Sequence, residues 1–324
     1  MSEPVREFKQ VRTNPPIIRA RFVLELASEL VGYPGMAAQP RINFMRQGST
    51  TPELVLFGGN APSGIAEVAR GDVQLSIVNP STILSLAYHG TGPFKEPLPV
   101  RTLTVLPSHD QFVFGLGGHT GLKSIQDIRD RKYPLKVSVR AQPDHGGHVV
   151  INEVFAAYGF SLDDVVSWGG QVIRHPNMPI KEPSLVAAKE LDAIFDEAVF
   201  NWVPAGIDAG MTMVDFDEPT LQKLESIGFR RARVSNEQYH EFSREVDFTT
   251  LDFSGWAVFT SADASDELVQ AMCSALEARR DSIPWEGEGP LALDQMCIDS
   301  VEAPLPAPLH PAAEAFWRSR GYLA

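Results

Sequence analysis

The chain has 324 residues, a net charge of −13 and two cysteines, with 44% hydrophobic and 21% charged residues. That length suits one large domain or two lobes of ordinary size, and the composition is that of a globular chain and not a disordered one. A sequence pI near 5.1 argues against the basic face that general nucleic-acid or anionic-membrane binding needs. Cys273 and Cys297 are too few and too irregularly placed for a zinc knuckle, a redox CxxC or a disulfide framework, and Cys273 reads as a buried, inert thiol in a helix.

The first segments alternate short strands and helices. Val5 to Val11 reads as an opening strand, followed by a turn at Asn14-Pro15-Pro16. Ile17, Phe22, Leu24, Leu26, Leu30 and Val31 then recur on a helical period, and Arg41 to Arg46 reads as a strand. Asn60 or Ser63 can cap a short helix that has Pro62 in its first turn and Gly71 past its end. Val73 to Val78 is an apolar strand, and a helix is predicted over Thr82 to Tyr88. Two strands, Arg101 to Pro107 and Gln111 to Gly115, are joined through Ser108-His109-Asp110.

Further on, a helix is capped at Ser124, with Asp127 three residues later, and Lys136 to Arg140 is a strand. A helix is predicted from about Asp144 to Tyr158, and Ser161 with Asp164 repeats the capping-box spacing. Leu191 to Phe195 reads as a buried strand leading to Asp196-Glu197. Asp252 to Phe259 reads as another strand, and Ser265 caps a long helix reaching Arg280. Strands alternating with helices of this length predict an α/β fold with largely parallel sheets.

The N-terminal residues carry charges throughout and show no apolar h-region, so no secretory signal is read there. The longest stretch free of acidic and basic residues, Val73 to Phe94, holds Asn79, Pro80 and two glycines, which a membrane span would not choose. The expectation is a cytoplasmic protein without membrane insertion, or a periplasmic one if the chain is a trimmed form.

Several motifs in consistent order resemble one family. They are Gly58-Gly59, Gly71-Asp-Val-Gln-Leu-Ser-Ile-Val78, His89-Gly-Thr-Gly-Pro-Phe94, Gly121-Leu-Lys-Ser-Ile-Gln-Asp-Ile128 and Pro143-Asp-His-Gly-Gly-His148. Leu191-Asp-Ala-Ile-Phe195 and the tail Ala307-Pro-Leu-His-Pro-Ala312 extend the series, which spans Gly58 to Tyr322. Together they resemble the TAXI family of TRAP-transporter solute receptors. The resemblance implies a type II periplasmic-binding-protein-like fold: two α/β lobes, a central cleft at the carboxyl ends of the strands, and two crossovers. The crossovers are expected near Ser108–Gln111 and near Trp202–Met211, giving one lobe of 1–108 plus 210–324 and another of 109–209. Unlike those receptors, this chain shows no export signal, and its first ligand loop reads Arg12-Thr-Asn-Pro-Pro16 where theirs is rich in glycine and aromatic residues. The same fold without an export signal also resembles cytoplasmic lyases, the 4,5-dihydroxyphthalate decarboxylases and chorismate-dehydrating enzymes.

Arg140-Ala-Gln-Pro-Asp-His-Gly-Gly-His148 leads from a strand end into a helix N-terminus, whose free N–H groups suit a carboxylate. Gly146 and Gly147 allow close approach to the backbone, and His145 or His148 is a candidate general acid. The structural alternative is Asp144 as a plain N-cap with both histidines on the surface. Asp196 and Glu197, at a strand end, can orient a histidine or act as base, or Glu197 can simply cap the next helix. Arg12, Thr13 and Asn14 occupy the family's first ligand loop, and Ser81, Thr82, His109 and Trp202 are the remaining ligand-binding candidates. No GxSxG elbow, P-loop or GxGxxG is present, and Gly115-Leu-Gly117-Gly118 lacks the Lys-Ser/Thr ending of a phosphate loop.

Two functions follow. One is a cytoplasmic lyase, a cofactor-independent and metal-free decarboxylase of an aromatic or unsaturated acid. In it Arg12 or Arg140 holds the carboxylate, and His145 or His148, backed by Asp196 or Glu197, supplies the proton. The alternative is a non-catalytic solute-binding protein, a transporter receptor or intracellular sensor, for a small carboxylate. Either partners a small carboxylic acid and no nucleic acid, and either is compatible with a homo-oligomer.

Overall fold

The computed structural model describes residues 15–32, 39–46, 48–59, 62–175, 183–240, 242 and 245–324. The predicted strand Val5–Val11 and the candidate loop Arg12, Thr13 and Asn14 lie outside the described residues. The chain divides into two compact units, Met1–Gln39 and Pro40–Ala324. In the first, α1 spans Pro15–Leu30, where the apolar period predicted a helix.

The second unit begins with β1 (Arg41–Met45), β2 (Pro52–Phe57), α2 (Ser63–Ala69), β3 (Leu75–Val78), α3 (Thr82–His89) and β4 (Val100–Leu106). Then come β5 (Gln111–Gly117), α4 (Ile125–Asp130), β6 (Lys136–Arg140), α5 (Gly146–Tyr158), α6 (Leu162–Ser167) and β7 (Gln171–His175). These are followed by α7 (Pro183–Ala187), β8 (Ala193–Asp196), α8 (Val199–Asp208), β9 (Met211–Met213), α9 (Glu218–Ser226), β10 (Arg231–Ser235) and β11 (Asp247–Asp252). The series closes with β12 (Trp256–Ser261), α10 (Asp266–Ala278) and α11 (Pro311–Ser319).

Two sheets result. The first has the order β1-β2-β3-β12-β4, and the second β10-β11-β5-β8-β6-β7, with β9 also on β5. Two α/β sheets joined by two connecting segments are what the type II periplasmic-binding-protein resemblance implies. The sheets are mixed and not largely parallel: β2 with β3, and β6 with both β7 and β8, are parallel, while β12 and β5 run antiparallel to their neighbours. Strand-helix alternation predicts parallel pairs only where a helix carries the chain back over the sheet, and both connecting segments run directly from strand to strand.

The expected second crossover near Trp202–Met211 is corrected by the strand pairing. β9 pairs β5, and β11 pairs β5 through Leu251–Phe112 and Asp252–Gln111, so β9, β10 and β11 belong to the second sheet. The chain returns at Phe253–Gly255, inside the stretch Asp252 to Phe259 that reads as a single strand. Gly255 has φ +76, a left-handed conformation that glycine adopts without strain, and it ends the pairing of β11 and starts that of β12.

The two connecting segments are laced together. Phe253 N–H donates to the Asp110 carbonyl at 2.9 Å, and Gly255 N–H donates to Ser108 Oγ at 3.0 Å. Ser254 Oγ bonds both Asp110 N and Asp110 O at 3.1 Å. Beneath them Phe112, Phe114, Phe155, Phe195 and Phe253 are fully buried and in ring contact, which fixes the ends of β5 and β8. Burying one such side chain contributes on the order of 1.5–3 kcal/mol.

Candidate functional site

Strand register builds the charged centre of the site. Val137 of β6 stands beside Ala193 of β8, and Ser138 beside Ile194. The same parallel register, continued two residues, brings Arg140 level with Asp196 at the carboxyl ends of both strands. Arg140 Nε donates to Asp196 Oδ1 at 2.8 Å, and Arg140 Nη2 donates to Glu197 Oε1. The Arg140 side chain is only 7% exposed, with Asp196 and Glu197 similarly buried. A buried guanidinium needs such partners, because an unpaired charge out of water costs several kcal/mol. Its Nη1 is buried and has no hydrogen-bond partner among the described residues. A buried donor of that kind is rare in folded chains, where such donors are paired with protein, water or a bound group.

The adjoining turn carries α5. His145, and not Asp144, is its N-cap: His145 Nδ1 accepts from Gly147 N–H at 3.1 Å, and Nε2 lies 4.0 Å from Glu197 Oε2. The His145 ring stacks on Phe253, with centroids 6.1 Å apart. His148 is half-buried, bonded to the Gln142 carbonyl at 2.9 Å. Burial holds its pKa below the ordinary imidazole value, with Arg174 adding to the effect and the Gln142 carbonyl opposing it.

The space expected above the two glycines is taken by the protein. A Cβ on Gly146 would lie 2.7 Å from the Asn79 carbonyl oxygen and 2.8 Å from Pro80 Cδ, and one on Gly147 would lie 2.8 Å from the Phe112 ring. The first turn of α5 thus seats directly on the Asn79–Pro80 turn, whose peptide bond is cis. Ser81 is committed to the connecting segment, its Oγ donating to the Ser254 carbonyl at 3.1 Å. Thr82 is buried at the start of α3, and its Oγ1 has no partner among the described residues.

Trp202 is corrected from ligand contact to core. It is fully buried, and its Nε1 donates to the Glu197 carbonyl at 3.0 Å, so it holds the acidic pair from behind. It follows the strand whose end is expected at the cleft, but α8 turns its side chain inward against Val113 and Met211.

Three further residues complete the site. Asp110 accepts from Ala198 N–H at 2.7 Å and Val199 N–H at 3.3 Å, so it caps α8 from the first connecting segment. Gln111 is fully buried, its Nε2 lying 3.2 Å from His109 Nε2 and its Oε1 accepting from Tyr239 O–H. Asp252 is buried beside Gln111, and burial raises its pKa while hydrogen bonds from Ser254 oppose the shift. A polar residue inside an apolar strand was the available signal for Gln111. Nothing local marked Tyr239, which meets Gln111 across 128 residues of chain.

A second concavity, of about 610 Å³, lies on the first sheet and is lined by apolar residues including Ile42, Leu56, Ile77, Met272 and Leu276. It has no converging polar groups to orient a ligand, so the Arg140 centre is the better candidate. Both cysteines are buried and free, and burial pushes each thiol up to about 12. Among the described residues, no group of three or more His, Cys, Asp or Glu is arranged to hold a metal ion, and no helix is long and apolar enough to cross a membrane.

Residues 60–321 match a family described as the NMT1-like family. Similar solved structures include the alkanesulfonate-binding protein SsuA from Xanthomonas axonopodis pv. citri bound to MOPS, at 13% identity and TM-score 0.33 over 67% of this chain and 59% of that one. The periplasmic aliphatic sulphonate-binding protein SsuA from Escherichia coli matches at 11% identity and TM-score 0.30, over 67% and 58% of the two chains. A TctC solute-binding protein from Polaromonas matches at 9% identity and TM-score 0.33, over 67% and 68%. The matches therefore span less than two thirds of either SsuA chain. Among curated proteins no match is found.

Proposed function

The chain belongs to the NMT1-like family, and on that premise we propose that it is a solute-binding protein for a small carboxylic acid held at Arg140. The observation that carries this reading is the buried Arg140 Nη1, a charged donor without an acceptor among the described residues. Asp196 and Glu197 fix the guanidinium through its other two nitrogens and leave Nη1 to a ligand oxygen. Charge-assisted hydrogen bonds of this kind are about twice as strong as neutral ones, and they need no reacting group.

The decarboxylase expected from the sequence finds less support. His148 is bonded to the Gln142 carbonyl, and His145, whose Nδ1 accepts from Gly147 N–H, has only Nε2 left to carry a proton, beside Glu197. Calorimetric titration of the purified chain with aromatic and aliphatic carboxylic acids, with CO2 release followed on the same samples, separates the two. Binding without CO2 supports the solute-binding reading. CO2 release at catalytic turnover restores the lyase, and an absence of binding to every acid overturns the assignment of Arg140 as the ligand anchor.

A further inference from the structure

We infer that His109 is a second ligand-binding donor, and that Gln111 and Tyr239 are positioning residues that hold it in the Nδ1–H tautomer. Tyr239 O–H donates to Gln111 Oε1, which turns the Gln111 amide N–H toward His109 Nε2 at 3.2 Å. A neutral imidazole that accepts at Nε2 carries its proton on Nδ1. That Nδ1 is buried and has no hydrogen-bond partner among the described residues. Tyr239 also stacks on the His109 ring, with centroids 6.0 Å apart and planes inclined by 30°, so ring position and tautomer are set by the same residue. Gln111 and Tyr239 are almost wholly buried, and neither side chain is free to turn toward solvent.

The backbone links this donor to the Arg140 centre. His109 precedes Asp110, which caps α8 at Ala198, and Ala198 follows Glu197, the partner of Arg140. Two buried N–H donors, Arg140 Nη1 and His109 Nδ1, are therefore linked through Asp110, Ala198 and Glu197. A single carboxylate answers one of them. The ligand class that answers both is a carboxylic acid with a second acceptor, as in a dicarboxylate. This inference rests on the solute-binding reading and narrows it.

The test has two arms. In the first, 15N-edited NMR of the histidine rings reads the tautomer without any ligand. The wild-type chain should show His109 as Nδ1–H, and Tyr239→Phe should shift it toward Nε2–H. An Nε2–H ring in the wild type overturns the relay whatever the protein binds. In the second, calorimetry compares phthalate with benzoate and succinate with butyrate. The diacid of at least one pair should bind about tenfold or more tightly, and His109→Ala should abolish that preference. His109→Asn, which places an amide N–H near the Nδ1 position, should retain more of it than His109→Gln, which reaches the Nε2 position instead. Equal affinities within both pairs overturn the second donor while leaving Arg140 as anchor, and no binding by any of the four acids fails the solute-binding reading itself.

Discussion

Asp110, in the first link between the two sheets, caps a helix whose N-cap lies 88 residues later: its carboxylate accepts Ala198 N–H at 2.7 Å and Val199 N–H at 3.3 Å. The same residue's backbone bonds Phe253 and Ser254 of the return link. One residue therefore ties both links to the strand end that carries Asp196 and Glu197.

Asp110→Ala should cost about 1–2 kcal/mol of stability, the loss expected for a helix N-cap that is also a negative charge at a helix N-terminus. Asp110→Asn keeps an acceptor oxygen and should cost less. Urea unfolding of the two variants beside the wild type reads both numbers. Equal stability of all three would mean that the α8 terminus finds other acceptors.

Arg140 carries the heaviest structural load of the site. Arg140→Met leaves Asp196 and Glu197 buried without their guanidinium and should destabilise the chain by about 3–5 kcal/mol. Adding Asp196→Asn and Glu197→Gln to that variant should recover most of the loss, because the buried charges are gone. Denaturant melts test the pair. A triple variant as unstable as Arg140→Met alone would show that packing, and not charge, sets the cost.

How much of this was legible in the sequence follows the range of each signal. The strand Lys136–Arg140 and the Ser161–Asp164 capping box occur as read, since period and cap spacing are local. Arg140, Asp196 and Glu197 were found as strand-end residues, although their pairing depends on a register between strands 56 residues apart. The return link at Phe253–Gly255 was hidden, because residues on both sides of it read as one apolar strand. The sequence points to His145 as a general acid and not as a cap, because Asp144 is the stronger intrinsic capping residue and stands one position earlier. His109 is readable as a candidate and Gln111 as a polar residue in an apolar strand, but Tyr239, 128 residues from Gln111, has no local signature.

Asp252 should leave a mark on the pH dependence of stability. Burial raises its folded pKa above the unfolded value near 4, so the folded state binds the proton more tightly. Its contribution favours folding below the unfolded pKa and is lost as pH rises toward and through the folded one. Asp252→Asn keeps an oxygen for the Ser254 N–H, bonded at 3.1 Å in the wild type, and removes the buried charge. The variant should be more stable than wild type at pH 7, with the difference shrinking as pH falls toward 4. Chemical unfolding across that range checks it, and a wild-type advantage at pH 7 would contradict the assignment.

The central claim is that a small carboxylic acid sits at Arg140 through Nη1. Native mass spectrometry of the gently purified full chain, followed by denaturing release and identification of the bound compound, tests it most directly. The account predicts one small acid per chain in the wild type and its loss from Arg140→Lys, a variant that keeps the positive charge but has no Nη1. A chain that carries no small molecule and binds none of the acids offered, or an adduct retained at full occupancy by Arg140→Lys, would contradict it.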